Sequence, residues 1–129
     1  MLNHQRVPDE IVLLASSVKS ATWQSSEQNS NMSCGILIIV DVSAKSGTPT
    51  LDIKMQALDS VSGAWVDIGA VMTQITNTGT YTLMLYPGIT VSAAEPNAVN
   101  KALPRHWRLF NTIGGTTSFT LSMSGQYLY

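Results

Sequence analysis

The chain carries few residues equipped for covalent chemistry. Its one cysteine, Cys34, lies far in sequence from both histidines, His4 and His106. A thiol nucleophile needs a base beside it, and neither histidine forms a local motif with Cys34. Cys34 instead precedes Gly35 and the apolar run Ile36-Leu37-Ile38-Ile39-Val40, the setting of a small buried hydrophobe at the start of a strand. One cysteine excludes an intrachain disulfide and fits synthesis in a reducing cytosol. No paired His or Cys spacing suggests a structural metal. Asp52, Asp59 and Asp67 are separated by strand residues and do not make a calcium loop. Asp9 and Glu10 are adjacent, so in a strand they point to opposite faces and cannot share a cleft. There is no G-x-S-x-G elbow. Gly114-Gly115 leads into a strand rather than a helix, which makes it a turn and not a phosphate cradle. These residues predict a non-enzymatic chain with no catalytic, metal-binding or cofactor-binding side chains.

Recognition chemistry is better represented. Trp23, Trp65, Trp107, Tyr81, Tyr86 and Tyr127 could stack on sugars if several were exposed in a row, or fill a core or an interface, where large amphipathic rings contribute most. Arg105-His106-Trp107-Arg108 is the densest polar-aromatic cluster. It reads either as an interface anchor, since Arg and Trp are enriched in such places, or as the start of a strand whose arginines extend to water. Arg105, Trp107 and Arg108 are therefore the candidate interface residues.

Composition narrows the class of partner. Only 12% of the 129 residues are charged, about half the usual ~25%, while 44% are hydrophobic. Seven basic residues against eight acidic ones give a net charge of -1. That leaves no basic stripe for nucleic acid and no charge excess to keep the chain disordered. No apolar run reaches the ~18 residues of a membrane helix, and the first ten residues lack a signal-peptide core. Serine and threonine replace Lys and Glu as the wetting residues. Hydroxyls cost less to desolvate than ions, so such a surface suits a protein largely covered by its neighbours.

The elements that must position these residues are strands. Leu51, Ile53, Met55 and Ala57 alternate with Asp52, Lys54 and Gln56. Tyr81, Leu83 and Leu85 alternate with Thr82, Met84 and Tyr86, and Phe119, Leu121, Met123 and Tyr127 with hydroxyls and Gln126. This period of two marks half-buried strands. Trp107, Leu109, Asn111 and Ile113 oppose Arg108, Phe110 and Thr112, which predicts a central strand. Ile36–Val40 is continuous and predicts a strand buried on both faces. Further strands are expected at Glu10–Ala15 and, more weakly, near Lys19–Gln24. Ser46-Gly47-Thr48-Pro49, Asp59–Gly63, Thr78-Gly79 and Pro87-Gly88 supply the breaks, and Gly114-Gly115 reads as a short hairpin. A polar loop at 24–33 and an irregular segment at 91–103, with one helical turn near Ser92–Glu95 halted by Pro96, complete the chain. Strand signals about ten residues apart predict an all-β, single-domain antiparallel sandwich of seven to nine strands, jelly-roll or immunoglobulin-like. It spans residues 1–129, with 1–10 as an N-terminal arm.

Several blocks in order resemble one group of proteins. Leu13-Leu14-Ala15-Ser16-Ser17 with Ala21-Thr22 opens the pattern, followed by Ile38–Ser43, Ser46-Gly47-Thr48-Pro49-Thr50-Leu51 and Gln56–Gly63. Thr78–Tyr81 with Tyr86-Pro87-Gly88, and Leu103-Pro104-Arg105-His106-Trp107-Arg108, close it. Together they resemble small structural proteins of tailed-bacteriophage virions over roughly residues 11 to 128. The first ten residues and Cys34-Gly35 depart from that pattern. The resemblance implies a β-sandwich virion component, assembled in the host cytoplasm, with no catalytic residues. The leading expectation is a capsid decoration (cement) protein bound to the major capsid protein, itself a homo-oligomer, with a trimer the natural form. A neck, collar or tail component is the alternative within the virion. A carbohydrate-binding sandwich module is the alternative outside it. Loop 24–33, segment 91–103 and the N-terminal arm are the expected contact elements.

Overall fold

The computed structural model describes residues 10–30, 32–92 and 97–129. Among them there is no helix, and ten strands form two sheets. Seven strands are long: β1 (Glu10–Lys19), β4 (Gly35–Ser46), β5 (Pro49–Leu58), β6 (Trp65–Val71), β7 (Gly79–Leu85), β9 (His106–Gly115) and β10 (Ser118–Leu128). Three are two-residue pairings: β2 (Trp23–Gln24), β3 (Gln28–Asn29) and β8 (Ala98–Val99). The first sheet runs β1-β10-β4-β7-β8 and the second β2-β9-β5-β6, with β3 also paired to β9. All pairings between strands are antiparallel except β7 with β8. The fold is an all-β sandwich, as the alternating pattern predicts.

The core lies between the sheets and is built from one parity of each strand. Ile36, Ile38, Val40 and Val42 come from β4, Leu51, Ile53 and Met55 from β5, and Phe119, Leu121 and Met123 from β10. Trp107, Leu109 and Asn111 enter from β9 and are fully buried. β9 is central in its sheet, between β5 on one side and β2 and β3 on the other.

Four sequence expectations change. Ile36–Val40 is not buried on both faces: Leu37 and Ile39 are only half-buried, because nothing among the described residues covers the outside of that sheet. β1 continues past Ala15 to Lys19, with irregular pairing at Val12/Leu14 and Leu14/Ser17 that breaks the alternation readable from sequence. Gly114-Gly115 is not a hairpin, because β9 and β10 lie in different sheets. It is a corner between the sheets, stacked on a second corner at Gly47-Thr48, where Thr116 N donates to Thr48 O at 3.3 Å and the two threonine hydroxyls meet at 3.0 Å. Gly115, at φ 70°, leaves no room for a side chain against the Thr48 carbonyl.

The polar stretch 24–33 is not a free loop either. Ser25 N donates to Leu109 O at 2.9 Å, and Ser25 Oγ accepts from Leu109 N at 2.8 Å. Ser30 N donates to Arg105 O at 2.8 Å, and the Tyr127 hydroxyl donates to Asn29 O at 3.0 Å. Its serines satisfy backbone groups of β9 and of Arg105 just before it, which hydropathy alone does not reveal. Residues 1–9 of the expected arm, and 93–95 of the expected helical turn with the Pro96 expected to halt it, lie outside the described residues; Glu10 opens β1.

Candidate functional site

Strand alternation separates the three candidate interface residues. Arg105 precedes β9 and is exposed. Trp107 faces inward with no exposed surface, so its ring is not available to a partner and the interface expectation for it is corrected to the core. Its indole N–H has no hydrogen-bond partner among the described residues, although the Tyr127 hydroxyl lies beside it. Arg108 points the other way, onto the outer face of the second sheet.

The register of three strands assembles the site around Arg108. β9 pairs with β5 so that Arg108 stands opposite Gln56 and Phe110 opposite Lys54. β5 pairs with β6 so that Gln56 stands opposite Asp67 and Leu58 opposite Trp65. Side chains in register share a face, and here they form a connected polar strip. Arg108 Nε donates to Gln56 Oε1 at 2.9 Å, and Gln56 Nε2 donates to Asp67 Oδ1 at 2.9 Å. The Lys54 ammonium donates to Asp67 Oδ2 at 2.8 Å. Those hydrogen bonds, from Lys54 first and Gln56 second, hold the Asp67 carboxyl below its ordinary range. Two cations lie over rings: the Arg108 guanidinium 4.3 Å from the Trp65 centroid, and Lys54 Nζ 5.2 Å from that of Phe110. Such contacts contribute roughly 0.5–1 kcal/mol each where solvent reaches them.

The hairpin that carries this strip is locally fixed. Asp59 Oδ2 accepts from the Ser62 hydroxyl at 2.8 Å and Oδ1 from Val61 N at 3.0 Å, and these bonds, Ser62 first, lower the Asp59 pKa. Gly63 supplies the left-handed residue at φ 78°, where an L side chain is strained. Beyond Lys54 the strip ends at a cavity of about 400 Å³ lined by Asp52, Ile53, Lys54, Val71, Met72 and Thr112. The Gln74 amide donates to both Asp52 oxygens, at 3.2 and 3.0 Å.

The other candidates from sequence stay apart. His106 Nδ1 lies 3.1 Å from a Glu27 carboxylate oxygen without an aligned hydrogen bond. Cys34 Sγ donates to Leu128 O at 3.7 Å, and the thiol raises the pKa of the neighbouring Tyr86 through a hydrogen bond. Trp23 packs against the core with Lys19 Nζ 5.4 Å from its ring, and the Tyr81 hydroxyl donates to Asn77 O at 2.8 Å. Among the described residues no three His, Cys, Asp or Glu side chains cluster to hold a metal ion. Sequence singled out Trp65, Asp67 and Arg108 separately. Their meeting through Gln56 depends on the β5–β6 and β5–β9 registers, which no local pattern encodes.

No known protein family, curated protein or solved structure matches the chain. The likeness to phage virion proteins therefore rests on the sequence blocks alone.

Proposed function

We propose that this chain is a non-enzymatic structural protein of a tailed-phage virion, a decoration protein that binds the outside of the head shell and stabilises it. The observation that carries the reading, beside the sequence blocks, is the outer face of the first sheet. Its rows are Glu10-Gln126-Leu37-Met84, Val12-Ser124-Ile39-Thr82 and Ser122-Asp41-Thr80. Only Glu10 and Asp41 among them are charged. Val12 is 75% exposed, and Leu37, Ile39 and Met84 are half-buried with no layer above them among the described residues. A face of hydroxyls, amides and aliphatic groups loses little on desolvation and gains on burial. Repeated over a shell, many modest contacts of this kind sum to firm retention.

Particles made without the chain provide the test. They should release DNA at lower temperature than complete particles, and purified chain added back should rebind and restore the difference. Equal heat resistance with no rebinding would reject the decoration role. Rebinding confined to the neck or tail would move the chain to that part of the virion.

A further inference from the structure

The strip around Arg108 carries a binding chemistry that the decoration reading does not require. We propose that the Trp65–Arg108 stack is a carboxylate-binding anchor, and that its occupant is an acidic side chain of a polypeptide partner.

Orientation is the first argument. Arg108 is held through Nε by Gln56, which is only 8% exposed. Gln56 is held at its other end by Asp67, and Asp67 by Lys54. The guanidinium lies over the Trp65 ring, 4.3 Å from its centroid. The fork is thus fixed before any partner arrives, which lowers the entropy lost on binding.

Charge is the second. Both Asp67 oxygens are engaged, by Lys54 and by Gln56, and among the described residues no carboxylate pairs with Arg108. Its terminal Nη donors have no hydrogen-bond partner there. A half-desolvated guanidinium with its terminal donors free is matched to a two-oxygen acceptor.

Surroundings decide the occupant. A neutral sugar would need the Trp65 ring face that the guanidinium covers. A nucleic-acid backbone would need several free cations in line, and Lys54 is already neutralised. The flank is apolar instead: Leu58 stands opposite Trp65 in register and is half-buried. Trp and Arg together are the residue types that dominate protein-binding hot spots.

The test uses the full chain, labelled with nitrogen-15, and a peptide of alternating Glu and Gly; its Gln-Gly counterpart is the control. The Arg108 Nε–H and Trp65 Nε1–H resonances should shift and saturate with the Glu peptide and stay still with the Gln peptide. Arg108→Lys should keep the folded spectrum and weaken binding about tenfold or more, because it keeps the charge but loses the planar two-point fork. Shifts spread equally over Arg105 and Lys45, unchanged binding by Arg108→Lys, or no shift at all would overturn the proposal. An oligogalacturonate that moves these resonances where the Glu peptide does not would overturn the polypeptide occupant. None of these outcomes depends on where the chain sits in a virion, so this inference and the decoration reading fail separately.

Discussion

Replacing Trp107 by alanine separates a core role from an interface role. The ring is fully buried between the sheets, opposite Ala57 in register and within the central apolar cluster. Removing a buried aromatic of this size costs about 3–5 kcal/mol in lost transfer energy and residual cavity. The unfolding entropy of a 129-residue domain is roughly 0.27 kcal/mol/K, taking ~2.1 cal/mol/K per residue. Each kcal/mol therefore moves the midpoint by about 4 °C, and Trp107→Ala should lower the Tm of the isolated chain by roughly 12–20 °C. Arg105→Ala, two positions earlier and exposed, should leave it within about 2 °C. Calorimetry of the two variants decides. A shift below about 3 °C for Trp107→Ala would mean that the ring is not in the core, and would undo the separation of Trp107 from Arg108 across the sheet.

Three further outcomes follow from the same geometry. The carboxyls of Asp67 and Asp59 titrate below their ordinary range in the folded chain, so the stability they contribute is complete above about pH 4 and fades as pH falls through the lowered values; Asp67→Asn should flatten the acid limb of a Tm-against-pH curve, and an unchanged limb would count against the Lys54–Asp67–Gln56 linkage. Burial raises the Tyr127 pKa, so its contribution is complete below about pH 10 and lost as pH climbs through the raised value; Tyr127→Phe should be less sensitive to alkali than the parent chain by the same measurement. Gly35→Ala would drive a Cβ into the Leu85 carbonyl and within 2.6 Å of the Tyr86 ring, so we expect about 1–3 kcal/mol of destabilisation from overpacking, read as a Tm lower by roughly 4–12 °C, and a neutral result would contradict the β4–β7 spacing.

The architecture was legible where one physical rule acted alone. The alternation in Leu51–Met55 and Phe119–Tyr127 names the buried parity correctly, because each strand has one face on the core. The rule failed where context intervened. A continuous run such as Ile36–Val40 reads as two-sided burial, yet Leu37 and Ile39 face outward. Ser25, Ser30 and Ser33 read as loop, yet they are buried and hydrogen-bonded, Ser25 and Ser33 through their hydroxyls and Ser30 through its backbone. Gly114-Gly115 reads as a hairpin because glycine marks a sharp turn without saying which sheet the next strand joins. The site was legible only in pieces. Arg108 stands out by type and Trp107 by size, and alternation already puts them on opposite faces; which face meets the core is what a pattern apolar on both sides leaves open. Gln56, the residue that joins Arg108 to Asp67, carries no local signal: an amide in a polar position of a strand is ordinary until its register partners are known.

The central claim is that this chain coats a phage head. Its most direct test is the number of copies per purified particle, counted by quantitative mass spectrometry against the major capsid protein. Decoration predicts a ratio near one to one, or another simple fraction of the shell lattice. A ratio tens-fold lower would place the chain in the neck or tail, and its absence from particles would contradict the virion assignment altogether.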